Sequence, residues 1–251
     1  CQPFSSAGRQ RGRGDSRDMF PEFVRAVSTV RPLAFLAENV PALLQQKFKR
    51  YVSEEILRPL SQLYDVKCSV LFAPDYGVPQ IRRRVFFVGF RKDLSCADDF
   101  SWPVPTHSTK WANKDKDSGD DLFLPKCMGV REALGLPDAG IDAFAPTLRS
   151  ALTGPRKTTS IVSSASAHKK WDLLGIWPNG VAKNRESARS FPAKNGAFRL
   201  SVADCAVLQG FPESWPFVGP TYMKLGLIGN AVPPPLGYMV ASAISDVLHE
   251  V

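Results

Sequence analysis

Cysteine is scarce in this chain of 251 residues, and its few copies lie far apart at Cys1, Cys68, Cys96, Cys127 and Cys205. Their number is odd and no two form a C-x-x-C pair, which argues against a disulfide framework and against a zinc site. No apolar run is long enough to cross a bilayer, and no signal peptide or internal repeat is visible. These absences favour a cytoplasmic protein without a membrane partner.

Positive charge is in excess, because 32 Lys and Arg residues stand against 24 Asp and Glu residues, for a formal net charge of +8. This balance suits a polyanionic partner, although many basic proteins bind none. Hydrophobic residues make up 44% of the chain, which is enough for one sizeable core or two small ones.

The first part of the chain predicts an α/β fold, since helix and strand patterns alternate in it. Apolar residues at helical spacing predict a helix over 20–30, which Pro32 ends, and a second helix over 48–63. Short apolar runs predict buried strands over 33–37, 66–72 and 84–90. Alternation of this kind implies a mostly parallel sheet.

The middle of the chain, from about 95 to 198, is rich in Pro, Ser, Lys, Asp and Gly and has poor periodicity. Two basic, hydroxyl-rich stretches at 145–150 and 153–160 suit contacts with phosphates and base edges, or else they are ordinary solvated loops. Order returns near the end. The pattern there predicts a helix over 201–208, a tight Gly- and Pro-rich segment over 225–235, and a closing helix with one core-facing apolar stripe.

Short motifs stand in a fixed order on these elements. They are Cys1-Gln2-Pro3-Phe4-Ser5, Glu38-Asn39-Val40, Gln80-Ile81-Arg82-Arg83-Arg84, Leu208-Gln209-Gly210-Phe211-Pro212 and Gly229-Asn230-Ala231-Val232-Pro233. Each one alone has a simpler interpretation, such as a surface thiol at Cys1 or a solvated edge cluster at the arginines. Together they closely resemble the DNA cytosine-C5 methyltransferase family over almost the whole chain.

The resemblance implies an α/β fold with an incomplete Rossmann-like methyltransferase catalytic domain and a smaller, irregular target-recognition domain. It places a partial catalytic domain at 1–94, the target-recognition domain at 95–198, and a return to the catalytic domain at 199–251. The implied partner is double-stranded DNA, and the implied state of a full-length protein is a monomer in a prokaryotic cytoplasm. A restriction–modification or phage setting follows by analogy.

The resemblance also assigns catalytic roles. Cys1 matches the thiolate that adds to carbon 6 of cytosine and makes carbon 5 reactive. Glu38 matches the glutamate that, when protonated, donates to N3 and holds the exocyclic amine. Arg82 and Arg84, two residues apart on a predicted strand, would point the same way. Arg84 would contact the base, and Arg82 would help to orient the cysteine loop.

The implied methyl donor is S-adenosyl-L-methionine, yet few of the family's donor contacts fall within the chain. The Gly-rich turn, the acidic ribose-binding residue and the adenine-contacting motif would all precede Cys1. Phe20, Asn230 and Val232 match the donor contacts that remain. We therefore expect the 251 residues alone to be inactive, and to regain activity with an N-terminal segment, fused or as a separate subunit.

Two basic regions are candidates for DNA contact. The Gly-rich segment 8–14 resembles the family's loop that closes over a flipped cytosine, and it carries Arg9, Arg11 and Arg13. A disordered basic terminus is the alternative for this segment. The recognition region adds Arg149, Arg156 and Lys157, since Arg can read guanine with two hydrogen bonds.

Two other functions stay open. A tRNA-modifying branch shares the catalytic motifs, but it has a small recognition region with a Cys-Phe-Thr tripeptide. This chain has no Cys-Phe-Thr and a long middle region, which favours DNA. The other alternative is a non-catalytic DNA-binding fragment, or one subunit of a split methyltransferase, which keeps the basic surface and transfers nothing by itself.

Overall fold

The computed structural model describes residues 3–5, 10–112, 123–149, 158–190 and 196–250. The chain divides into two compact units. Unit 1 contains Cys1–Phe72, Arg83–Val104 and Tyr238–Val251, and unit 2 contains Ala73–Arg82 and Pro105–Gly237. The predicted recognition domain at 95–198 is defined by DNA contact rather than by compactness, so its bounds stay a prediction.

Unit 1 confirms the helices and strands predicted for the first part of the chain. Its elements are α1 (Phe20–Val30), β1 (Ala34–Asn39), α2 (Lys49–Tyr51), a π-helical turn (Val52–Leu57), α3 (Arg58–Leu60), β2 (Tyr64–Phe72) and β3 (Arg83–Arg91). Short 3-10 turns lie at Gly12–Gly14, Pro41–Leu44, Gln46–Phe48, Lys92–Leu94 and Ala97–Asp99. The predicted second helix is therefore one helical stretch whose middle is wider than an α-helix.

The sheet of unit 1 has the strand order β1-β3-β2, and both ladders are antiparallel. The prediction of a mostly parallel sheet is wrong for this part of the chain. A helical crossover joins β1 to β2, and these two strands do run in the same direction. However, β3 follows β2 after the short connection 73–82, so it returns antiparallel and inserts between them.

The central strand β3 is buried on both faces from Val85 to Phe90, which explains its continuous apolar sequence. Its Gly89 lies opposite Phe35 of β1. A β-carbon added at Gly89 would stand 2.2 Å from the Phe35 ring, so only glycine lets the ring lie across the strand. Phe35 is itself held by edge-to-face contacts with Phe23 and Tyr64.

Unit 2 contains more regular structure than the irregular middle of the sequence predicted. Its helices are α4 (Val130–Ala133), α5 (Ala165–Leu173), α6 (Arg185–Ser190), α7 (Val202–Leu208) and α8 (Thr221–Asn230), and its strands are β4 (Ile176–Ala182) and β5 (Phe198–Ser201). Short 3-10 turns lie at Ala73–Tyr76 and Lys110–Ala112. The two strands pair in parallel, and α6 provides the crossover between them.

The end of the chain confirms two predicted helices and corrects one segment. Ser201 caps α7 in a reciprocal capping box with Asp204. The closing helix α9 (Pro234–His249) buries Leu236, Val240 and Val247. The predicted tight segment 225–235 is wrong in its first half, because α8 continues through Asn230. In the described residues, no helix is both long and apolar enough to cross a membrane.

The close approach of Gly89 to Phe35 makes a stability prediction. We expect Gly89→Ala to lower the free energy of unfolding by about 1–3 kcal/mol, because the new methyl group must displace a buried ring. Gly14→Ala is the matched control, since no atom lies within 4 Å of an added β-carbon there. Urea unfolding measures both, and equal stability of the two variants would contradict the packing described.

Candidate active site

Glu38 is placed by the carboxyl end of β1. The next residue, Asn39, is buried and ends the strand, and its side-chain Oδ1 accepts a hydrogen bond of 2.8 Å from the Val40 backbone N–H. This local bond turns the chain into the 3-10 turn at Pro41–Leu44. The Glu38-Asn39-Val40 motif therefore consists of a carboxylate at the end of the strand, followed by the residues that fix the strand end.

Arg84 meets Glu38 across the β1–β3 ladder. Glu38 lies opposite Phe86, and Arg84 stands two residues before Phe86 on the same face of β3. Such diagonal neighbours are within reach of a long side chain. The Arg84 Nε lies 2.6 Å from Glu38 Oε1, and the side chains are only 12% and 17% exposed, respectively. The structure thus brings these two predicted site residues together.

Burial changes the pKa of Arg84 and strengthens the interaction between the two charges of the ion pair. Removal from water lowers the pKa of the Arg84 guanidinium, and the neighbouring Glu38 carboxylate opposes this shift. The Arg84 Nη1 also donates to the Arg83 carbonyl at 2.8 Å. The guanidinium is therefore fixed at two points, in a place where a charge interacts more strongly than it does in water.

A cavity of about 320 Å³ in unit 1 opens beside Glu38. Its wall combines aromatic and aliphatic groups with carboxylates and one guanidinium, from Pro3, Phe4, Arg17, Asp18, Met19, Phe20, Phe23, Leu36, Ala37, Glu38 and Asn39. Phe20, a predicted donor contact, is part of this wall. Mostly apolar cavities of this size with a few polar groups are typical of small-molecule sites.

The described part of the nucleophile motif, Pro3 to Ser5, is anchored to the segment that follows it. Phe4 is buried against Phe20, Phe48 and Tyr51. The Pro3 carbonyl accepts a hydrogen bond of 3.1 Å from the Gly12 backbone N–H. Cys1 itself lies outside the described residues, as does Arg9, so these contacts define the base of the loop only.

Gly12 is required at its position in this loop. It has a φ of +55°, and an added β-carbon would lie 3.0 Å from the Phe48 ring. Gln10 donates from Nε2 to the Phe4 carbonyl at 3.0 Å, so a side chain and a backbone N–H hold the loop together. Of the predicted loop arginines, Arg11 is exposed, and Arg13 forms a 2.9 Å ion pair with Glu55.

The other cysteines are poor candidates for a nucleophile. Cys68 lies on the surface of β2, where partial removal from water raises the pKa of its thiol to about 11. Burial raises the pKa of Cys127 to about 12 and that of Cys205 further. Cys96 is buried. Since a thiolate is the reacting form, thiols with raised pKa values are unreactive near neutral pH.

Arg82 has partners of its own in unit 2. The strand β3 begins at Arg83, so Arg82 lies just before the strand that carries Arg84, and the prediction that the two share a strand face stays a prediction. Arg82 is 1% exposed, and its Nη2 donates to the carbonyls of Gly229 at 3.0 Å and Ala231 at 2.7 Å. These carbonyls end α8, where a positive charge is favourable.

Asn230 and Val232, the other two predicted donor contacts, flank Ala231. Asn230 is exposed and Val232 is half-buried, so both are accessible to a ligand. Of the predicted DNA contacts in unit 2, Arg149 is exposed. Arg156 and Lys157 lie outside the described residues.

Two buried glutamines, Gln80 and Gln209, were missed as site residues by sequence reasoning. Both are fully buried, and the Gln80 Nε2 donates to Gln209 Oε1 at 2.8 Å. Both stand inside the recognised motifs, which was the available signal. Within the described part of the chain, no cluster of His, Cys, Asp and Glu could hold a metal ion.

The sequence matches the C-5 cytosine-specific DNA methylase family over residues 1–246. It is 32% identical to the Type II methyltransferase M.NgoMIV of Neisseria gonorrhoeae, and the alignment covers 100% of this chain and 76% of that protein. It is 31% identical to the Type II methyltransferase M.FnuDI of Fusobacterium nucleatum, over 100% of this chain and 75% of that protein.

Solved structures support the same fold. The Entamoeba histolytica methyltransferase EhMeth superposes with a TM-score of 0.55 at 13% identity, covering 99% of this chain and 75% of that chain. The S. pombe Dnmt2 methyltransferase gives a TM-score of 0.52 at 16% identity, over 99% and 76%. This chain belongs to the C-5 cytosine-specific DNA methylase family, whose members are DNA cytosine-5 methyltransferases.

Proposed function

We propose that this chain carries the nucleophile and the base-binding residues of an enzyme that methylates carbon 5 of cytosine in a specific sequence of duplex DNA. The enzyme uses S-adenosyl-L-methionine and a transient covalent bond from Cys1. The observation that carries the proposal is the largely buried Glu38–Arg84 pair at 2.6 Å, whose Glu38 lines a site-sized cavity together with Pro3 and Phe4. A paired acid and guanidinium at such a place suit recognition of a base with both donor and acceptor edges.

The chemistry begins at Cys1. Its thiolate electron pair forms the bond to carbon 6, and the electrons of the carbon 5–carbon 6 double bond move toward N3 and make carbon 5 nucleophilic. After methylation, loss of the carbon 5 proton to a base re-forms the double bond and expels the thiolate. The raised pKa values of Cys68, Cys127 and Cys205 support Cys1 as the reacting thiol.

Glu38 and Arg84 act on the base during this addition. Glu38 in its protonated form donates to N3, where negative charge develops, and accepts from the exocyclic amine. Arg84 holds the Glu38 side chain and contacts the base, and because both groups are fixed before the base arrives, little reorganisation is needed. The geometry supports these roles, since β1 and β3 hold both side chains.

The residues present fit the methyl donor in part. The cavity wall offers the aromatic ring of Phe20 and nearby carboxylates, which suit a ligand with an aromatic base and a positive sulfonium group. In unit 2, Asn230 and Val232 offer a polar and an apolar contact. When bound, S-adenosyl-L-methionine supplies the methyl group.

DNA supplies the substrate base, and the base must leave the stack because carbon 5 cannot be attacked inside the duplex. We propose that Arg9, Arg11 and Arg13 contact phosphates near the extruded cytosine and that Arg149, Arg156 and Lys157 lie in the recognition region. The similar Type II methyltransferases support a cytoplasmic restriction–modification setting.

Arg84 gives the first functional test. In a methylation-competent protein that contains residues 1–251, Arg84→Met should slow methyl transfer roughly a hundredfold, because it removes a fixed charge from the reacting base. It should change nonspecific DNA affinity less than about twofold. It should also lower the free energy of unfolding by about 3 kcal/mol, because Glu38 is left buried without its partner.

The matched control is Arg50→Met, which removes the same charge from an exposed pair with Glu54. This pair is worth less than about 0.5 kcal/mol, so stability and methylation should both be retained. Methylation is measured by radiolabel transfer at a temperature where each variant is folded. Equal loss of methylation in the two variants, or parallel loss of DNA binding and methylation in Arg84→Met, would contradict the proposed role.

The second test concerns the chain by itself. Residues 1–251 do not include the family's Gly-rich turn, so we expect no methyl transfer by these residues alone and restored transfer when a segment with that turn is fused or added. Cys1→Ala in the restored protein is the control and should abolish transfer. A clear methyl-transfer signal from residues 1–251 alone would refute this expectation.

A further inference from the structure

Gln209 follows α7 in unit 2 and belongs to the motif Leu208-Gln209-Gly210-Phe211-Pro212. Its side chain makes a contact with a residue outside this motif. Its side-chain Nε2 donates to the Ala231 backbone carbonyl at 2.7 Å. The Arg82 Nη2 donates to the same oxygen, also at 2.7 Å. Two buried donors therefore fix the peptide group that joins Ala231 to Val232. Ala231 is the residue directly after Asn230.

The orientation of the Gln209 amide is determined by Gln80. Gln80 donates from Nε2 to Gln209 Oε1 at 2.8 Å and to the Leu208 carbonyl at 3.1 Å. The Gln80 Oε1 accepts a hydrogen bond of 3.1 Å from the Leu148 backbone N–H. Since Gln209 must present its oxygen to Gln80, its nitrogen is left facing Ala231. A fully connected buried network of this kind is rigid.

The backbone at Gly210, next to Gln209, packs closely against Pro235 at the start of α9. Gly210 has a φ of +87°, and an added β-carbon would lie 2.9 Å from Pro235 Cδ and 3.4 Å from a Val78 methyl group. Only glycine suits this position, because of both its conformation and its space. The turn after α7 is thus pressed against the segment that begins α9.

We infer that Gln209 is a positioning residue for the methyl-donor site, which it serves by holding the Ala231–Val232 peptide so that Asn230 and Val232 keep their places. This inference rests on the proposed function, because it takes those two residues as donor contacts. Gln209 need not touch the donor. Its effect passes through one hydrogen bond to the backbone.

Gln209→Met tests the inference in a methylation-competent protein that contains residues 1–251. Methionine keeps the length and removes the donor. Gln80 retains its bonds to Leu208 and Leu148, and the Ala231 carbonyl retains Arg82, so folding should persist. We expect the dissociation constant of S-adenosylhomocysteine, measured by calorimetry without turnover, to rise about three- to tenfold, the effect of one neutral hydrogen bond. DNA affinity should stay within about twofold.

Gln209→Glu is the second variant. It keeps the volume and the acceptor for Gln80, but a carboxylate cannot donate to Ala231, so S-adenosylhomocysteine affinity should fall at least as far as in Gln209→Met. Ser201→Ala is the stability control, since it removes the cap at the other end of α7 and leaves the Gln209–Ala231 bond intact. It should lower the melting temperature without changing S-adenosylhomocysteine affinity.

Asn230→Ala separates failure of the inference from failure of the proposed function. If Asn230→Ala weakens S-adenosylhomocysteine binding and both Gln209 variants bind as the parent does, the positioning role of Gln209 is wrong and the donor site stands. If Asn230→Ala has no effect, the donor-site assignment itself fails. If Ser201→Ala weakens binding as much as Gln209→Met does, the effect is one of general stability and the inference is overturned.

Discussion

The antiparallel pairing of β1 with β3 places a carboxylate and a guanidinium 2.6 Å apart on one sheet face. Each charge would be costly alone at this depth, so each depends on the other and on the strand register that joins them. A shift of one residue in this register would send Arg84 to the opposite face. The close contact of Gly89 with Phe35 belongs to the same ladder, so it helps to hold the register on which the ion pair depends.

A second set of buried polar groups organises unit 2. Arg82 and Gln209 converge on one carbonyl, and Gln80 orients Gln209 from behind. The residues of the Gln-x-Arg-x-Arg motif thus have different structural partners. Gln80 and Arg82 support the segment that holds Asn230 and Val232, whereas Arg84 pairs with Glu38. This division explains why neighbouring residues of one short motif are fixed by different hydrogen-bond partners.

Local patterns were sufficient where local forces decide the structure. The spacing of Phe20 to Val30 predicted α1 with its observed bounds, and the motif order identified the family. Strand order could not be predicted, because the insertion of β3 depends on pairing distant in sequence. The helix α8 was missed since Gly226 and Gly229 are poor helix formers, yet the burial of Leu225 and Ile228 overrides that preference. The hydrogen-bond partners of Gln80 and Gln209 could not be predicted, because they lie far away in the sequence and follow no local pattern.

The central claim is that Cys1 forms the covalent bond to cytosine. It is tested most directly by incubating a methylation-competent protein that contains residues 1–251 with the methyl donor and a random duplex pool in which every cytosine is 5-fluorinated. Fluorine at carbon 5 prevents the elimination step, so the adduct persists and can be located by peptide mass spectrometry. We predict that the base is found on the peptide that carries Cys1. An adduct on the peptide of Cys68, the exposed cysteine in β2, would contradict it.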